Sequence, residues 1–133
     1  MDLAEIILKT SQVVAVVGLS SNPDRPSFEV ASYLRGERYK IIPVNPLEKE
    51  ILGEPCYPNL SSITEPVDVV NIFRRPENVP AVVKEAIKIG AKAIWMQEGV
   101  INEEEVARAK GAGMMVIMDR CMLKEHLKLK RRI

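Results

Sequence analysis

Between Val13 and Met118, short apolar runs alternate with segments of helical period, an order that few folds accept. Val13–Val17 is continuous and apolar, as a strand buried on both faces must be. After a polar loop, Val30, Ala31 and Leu34 recur on one helical face. Lys40–Val44 reads as a second strand ended by Asn45–Pro46, although Pro43 inside it removes a ladder donor. Asp68–Phe73 reads as a third. A helix capped by Asn78 follows, with Val79, Val82, Val83, Ala86 and Ile87 at helical spacing and Gly90 as its stop. Ala93–Met96 is a fourth strand, and Asn102 with Glu105 gives a capping-box-like start to a helix through Lys110. Gly111 and Gly113 end that helix, Met114–Met118 is a fifth strand, and Cys121–Leu129 a closing helix. Leu3, Ile6 and Ile7 space a further helix over Met1–Lys9.

Strands alternating with helices imply parallel βαβ units. The expected fold is therefore α/β and Rossmann-like: an open, mainly parallel five-stranded sheet with helices on both faces. One such domain accounts for all 133 residues. Ligands of these sheets bind beyond the carboxyl ends of the strands. Five loops therefore matter: Gly18–Ser27, Asn45–Lys49, Phe73–Pro76, Gln97–Gly99 and Asp119–Cys121.

Composition narrows the partners. A net charge of +1 argues against a broad nucleic-acid footprint, and the basic tail Lys128–Ile133 reads as a solvated terminus. No window is apolar enough to span a membrane, Asp2 breaks a signal-peptide layout, and two cysteines make no disulfide framework. A cytoplasmic protein is expected.

The loop after the first run, VVGLSSNPDRPS, has the form of an anion site. Gly18 permits a tight turn and close backbone approach, and Ser20, Ser21 and Asn22 offer short donors. Ser27 stands near the start of the next helix, where amides and the helix dipole favour negative charge. Arg25 adds a charge-assisted contact. The competing reading is a plain Ser-Asn-Pro-Asp turn. A dinucleotide fingerprint is incomplete here, since only Gly18 fits and Val44–Asn45 supplies no acid for a ribose. It is not a Walker loop either, because no Gly-Lys-Ser/Thr follows.

Phe73, Arg74, Arg75 and Pro76 form the second informative loop: the arginines suit phosphate, and Phe73 suits an adenine or an apolar arm. Alternatively, Arg75 holds Glu77 or a helix end. In Gln97–Glu98–Gly99, Glu98 either orients a ligand hydroxyl or caps its own turn. Cys121 lies at the ligand edge and either meets a thiol or fills the core; Cys56 has less claim. His126 is expected in a packing role, and Met114, Met115, Met118 and Met122 in the core. No metal-ligand set, nucleophile elbow or spaced carboxylate pair is evident. The chain reads as binding a phosphorylated cofactor rather than transforming it.

Taken in order, VVGLSSNPDRPSFEVASYL, PVNP, LGEPCYPNL, VDVVNIFRRPENVP, WMQEGV and MDRCMLKEH resemble the small single-domain CoA-binding-domain proteins, over roughly Gln12–Leu127. More distantly, the chain resembles the CoA-binding domain of the succinyl-CoA synthetase alpha subunit. That resemblance implies coenzyme A, or an acyl-CoA, as the ligand. It places the pyrophosphate at Gly18, Leu19, Ser20 and Ser21 with Arg25 and Ser27 adjacent. It places the adenosine by Val44, Asn45 and Pro46, and the 3′-phosphate at Lys49. Phe73, Arg74 and Arg75 would line adenine or pantetheine, and Gln97 and Glu98 the thiol arm. The ligase's phosphorylated histidine sits in a second domain, and His126 does not correspond to it. Binding is what carries over. The alternatives are an NAD(P)-binding enzyme, a ligase fragment needing a partner chain, and a CoA-linked redox module using Cys121.

Overall fold

The computed structural model describes residues 2–132, so Met1 and Ile133, at the ends of two expected segments, lie outside the described residues. The chain runs α1 (Leu3–Thr10), β1 (Val13–Val17), α2 (Pro26–Gly36), β2 (Lys40–Val44), β3 (Glu50–Ile51), β4 (Glu54–Pro55) and β5 (Val69–Ile72). It continues α3 (Val79–Ile89), β6 (Ala93–Met96), α4 (Glu103–Gly111), β7 (Met115–Ile117) and α5 (Met122–Arg131). Five strands pair in the order β2-β1-β5-β6-β7, every pair parallel. The expected Rossmann-like sheet is what forms.

Helices cover both faces. Val14, Val16, Val69, Ala93 and Trp95 pack under α1, α2 and α5 through Ile7, Leu34 and Met122. Ala15, Val17, Val70, Ile72, Ile94 and Met96 pack under α3 and α4 through Val83, Ala86 and Ala109. This two-sided burial is why the strand sequences are continuous rather than alternating.

Pro43 proves compatible with its strand. Lys40 donates its N–H to Gln12 and Gly18 to Val44 on the β1 side, while the Pro43 carbonyl accepts from Tyr57 on the outer edge. The missing N–H therefore falls on the edge, where no β1 bond is lost.

Several local expectations need correction. The buried face of α1 is Ala4, Ile7 and Leu8, and Ile6 is exposed. Asn78 makes no side-chain cap, because Pro76–Asn78 coil into a 3-10 turn that leads directly into α3. Asn102 does cap α4, accepting from Glu105 N–H at 3.2 Å, but its own N–H goes to Met118 Sδ, so the box is half made. Gly111 is the last residue of α4 itself. The antiparallel β3–β4 hairpin was not expected at all.

Candidate functional site

The strand order creates the site. β1 is followed by β2 on one side, whereas β5 joins it on the other, so the loops leaving β1 and β5 diverge at the carboxyl edge. Such a switch point is where open α/β sheets hold ligands. A cavity of about 560 Å³ lies there, lined by both loops, the first turn of α2 and the β6 loop.

Gly18 anchors it. Its N–H donates to the Val44 carbonyl at 2.9 Å, and its φ is +86°. A Cβ at this position would stand 2.2 Å from the Phe73 carbonyl oxygen. The close approach that requires glycine is thus between two loops of the protein, at the edge of the cavity. Beyond it, Ser20 N–H donates to Ser27 Oγ at 3.0 Å, and Asn22 N–H to Ser20 Oγ at 3.0 Å. Asp24 N–H and Arg25 N–H return to Asn22, so the polar loop is a chain of turns leading into α2. Ser27 is only 5% exposed, and Arg25, the N-cap residue, gives no side-chain cap. The first turn of α2 therefore faces the cavity without a side-chain acceptor of its own.

Electrostatics follow from what is paired. Arg25, Arg74 and Arg75 all line the cavity, and none of their guanidinium groups has a carboxylate or hydrogen-bond partner among the described residues. Arg75 does not hold Glu77. Glu98, by contrast, is engaged by Lys124 at 3.0 and 3.1 Å, which pushes that lysine's pKa up. Gln97 is 4% exposed, and its Oε1 accepts from Met122 N–H at 3.0 Å, holding the start of α5. Gly99 N–H donates to Asp119 at 2.7 Å, which secures the β6 loop to the β7 turn.

Nine of the expected residues meet here: Gly18, Ser20, Arg25, Ser27, Phe73, Arg74, Arg75, Gln97 and Glu98. Pro26, Pro76, Gly99 and Val100 join them. Pro26, Pro76 and Gly99 belong to loops that the sequence singles out, whereas Val100 carries no polar signal. Leu19 and Val44 are buried, so only their backbones are near the edge. Ser21, Asn45, Pro46 and Lys49 stand outside the cavity wall, on the β2 side. Asn45 is a latch: its Nδ2 donates to the Leu19 carbonyl at 2.9 Å, and its Oδ1 accepts from Leu47 N–H at 2.8 Å. Lys49 is exposed, with its carbonyl taken by Cys56 N–H. Glu48, which sequence reading passed over, accepts from Ser21 Oγ at 3.0 Å. No spacing rule marks it; only the folded turn after β2 brings it to the β1 loop.

The cysteines do not reach the cavity. Cys121 is buried at the start of α5. Cys56 is half-buried, and burial pushes its thiol pKa up. His126 bonds Tyr33 through Nδ1 at 2.7 Å and lies edge-on to Tyr33 and Tyr39; burial holds it below the usual histidine range. Among the described residues, no group of three or more His, Cys, Asp or Glu is placed to hold a metal ion. None of the described helices is long and apolar enough to cross a membrane.

A family model described as a CoA binding domain matches residues 12–127. The chain belongs to this CoA binding domain family. The domain is 43% identical over 120 residues to the uncharacterized protein YneT of Bacillus subtilis, covering 90% of this chain and 89% of that one. A hypothetical protein from Pyrococcus horikoshii superposes with a TM-score of 0.93 at 37% identity, over 96% of this chain and 89% of the other. The domain is also 30% identical over 121 residues to acetate–CoA ligase [ADP-forming] I of Archaeoglobus fulgidus. There it matches 84% of this chain but spans only 18% of the ligase.

Proposed function

We propose that this CoA binding domain binds coenzyme A or an acyl-CoA across the switch-point cavity. The observation that carries the reading is three arginines, with guanidinium groups unpaired among the described residues, around a first helical turn that has no side-chain cap. Unpaired cations beside a helix N-terminus, where Pro26 has no N–H and Phe28 and Glu29 already donate to the Arg25 carbonyl so that Ser27 N–H is the one left over, are suited to a pyrophosphate. In this reading Gly18, Leu19 and Ser20 border the pyrophosphate through the Leu19 amide and the Ser20 hydroxyl, since the Gly18 and Ser20 amides are held by Val44 and Ser27, with Ser27 behind them and Arg25 at the mouth. Ser21, Val44, Asn45 and Pro46 border the adenosine on the β2 side. Phe73, Arg74 and Arg75 flank adenine or the pantetheine arm, and Gln97 and Glu98 border its thiol end. The lining chemistry is that of a binder, with donors and cations and one carboxylate already held by Lys124. In this reading the domain binds CoA in the cytoplasm without catalytic machinery of its own, and a partner chain would supply any acyl transfer.

Isothermal titration of the purified protein with CoA, NAD and NADP tests this. Saturable CoA binding with weaker or no response to the nicotinamide dinucleotides is expected. Binding of NADP without CoA would overturn the reading in favour of a nicotinamide enzyme.

A further inference from the structure

β1 and β2 end side by side, with Val17 in register with Val44, so the loops that follow them leave the sheet as neighbours. The turn after β2 is fixed to the β1 loop at two points. Asn45 Nδ2 donates to the Leu19 carbonyl at 2.9 Å, and Glu48 Oε1 accepts from Ser21 Oγ at 3.0 Å. Asn45 is itself held on its outer side, where its N–H donates to Tyr57 O at 2.9 Å and its carbonyl accepts from Cys56 Sγ at 3.4 Å. The carboxylate therefore stands on an anchored turn directly against the loop proposed to take the pyrophosphate. Glu48 and Lys49 both stand outside the cavity wall, but Glu48 is half-buried and bonded to the β1 loop, whereas Lys49 is exposed and its carbonyl belongs to the hairpin. Leu47 is 88% exposed and has nothing of the fold to pack against.

In a doubly wound sheet, a nucleotide whose pyrophosphate lies on the β1 loop places its ribose over the end of β2, where an acidic side chain accepts from ribose hydroxyls. We infer that Glu48 performs that role and sets the nucleotide preference of the site: it accepts a ribose hydroxyl and opposes a phosphate in its place. This rests on the CoA-type reading above and sharpens it. The preferred ligand is a pantetheine-bearing adenosine nucleotide with its ribose hydroxyls free, and the 3′-phosphate of CoA is tolerated rather than sought. A carboxylate is an acceptor only, so a phosphate at its side gains no hydrogen bond and meets a like charge.

The test compares CoA with dephospho-CoA by calorimetry on the wild type, Glu48→Gln and Lys49→Gln. Both positions are at the surface turn, and circular dichroism checks that each variant is folded. The wild type is expected to bind dephospho-CoA at least as tightly as CoA. Glu48→Gln should move the ratio roughly tenfold toward CoA, the scale of one exposed like-charge contact. Lys49→Gln should leave the ratio unchanged. If both ligands bind and Glu48→Gln leaves their ratio as in the wild type, this inference falls and the CoA reading stands. A selective loss of CoA in Lys49→Gln also overturns it, by assigning the 3′-phosphate to Lys49. Binding of neither ligand by the wild type would remove the CoA reading and this inference together.

Discussion

At Gly18 two constraints coincide: a φ of +86° and a Phe73 carbonyl oxygen that an added Cβ would approach to 2.2 Å. The neighbour is backbone, so no rotamer change relieves it. Gly18→Ala is expected to lower stability by about 1–3 kcal/mol, the range of a strained backbone position, and to part the two loops. A urea midpoint equal to the wild type's would show that the loops can shift freely. Arg25 is the opposite case. It is exposed and has no ion-pair partner among the described residues, so Arg25→Ala should leave the urea midpoint nearly unchanged. CoA affinity should instead fall by about 1.5–3 kcal/mol if the guanidinium meets a phosphate oxygen. Unchanged affinity would move that contact to Arg74 or Arg75.

Among the elements, β1 and β5 are joined by a carboxylate as well as by their ladder. Asp68, at the foot of β5, accepts from the N–H groups of Gln12 and Val13 at 2.9 Å each, and Lys92 pairs with it at 3.4 Å. Burial alone would push its pKa up, but the two amides and Lys92 outweigh burial and hold it below the usual aspartate range. A carboxyl held low in the folded state stabilises fully above its unfolded value, near about 3.9, and loses that contribution as pH falls through the folded value. Asp68→Asn should therefore cost about 1–3 kcal/mol at neutral pH and flatten the acid side of the stability curve. Urea midpoints recorded as a function of pH would reveal an unchanged slope if Asp68 is not the group. At this scale the sequence was readable where the signal is local. Val13–Val17 is apolar on both faces, Gly90 closes α3 with a φ of 74°, and Asn102 accepts from the N–H it should. It was unreadable where tertiary contacts decide. The two-residue strands β3 and β4 have no period to detect, and Asn78 was displaced as a cap by the turn that Pro76 begins. Glu48 lies four residues past the end of β2, and only the Asn45 latch brings it to Ser21.

For the molecule as a whole, the cavity is walled by the β1 loop with the start of α2, the β5 loop and the β6 loop, three stretches far apart in sequence. A ligand spanning them binds only the folded chain, so it must raise thermal stability. At 100 times its dissociation constant the gain is about 2.7 kcal/mol, which for a chain of 133 residues raises the melting temperature by roughly 8–13 °C. Salt separates the sources of that gain. The net charge of +1 provides almost no long-range attraction, so any salt dependence must come from the local field of Arg25, Arg74 and Arg75. Screening shortens from about 10 Å at 0.1 M to about 3 Å at 1 M. The CoA-induced rise in melting temperature should shrink clearly between those salt concentrations, while the ligand-free melting temperature changes less. A rise of equal size at both would place the binding energy in apolar contacts along Phe73, Pro76 and Val100, and would remove the arginines from the account.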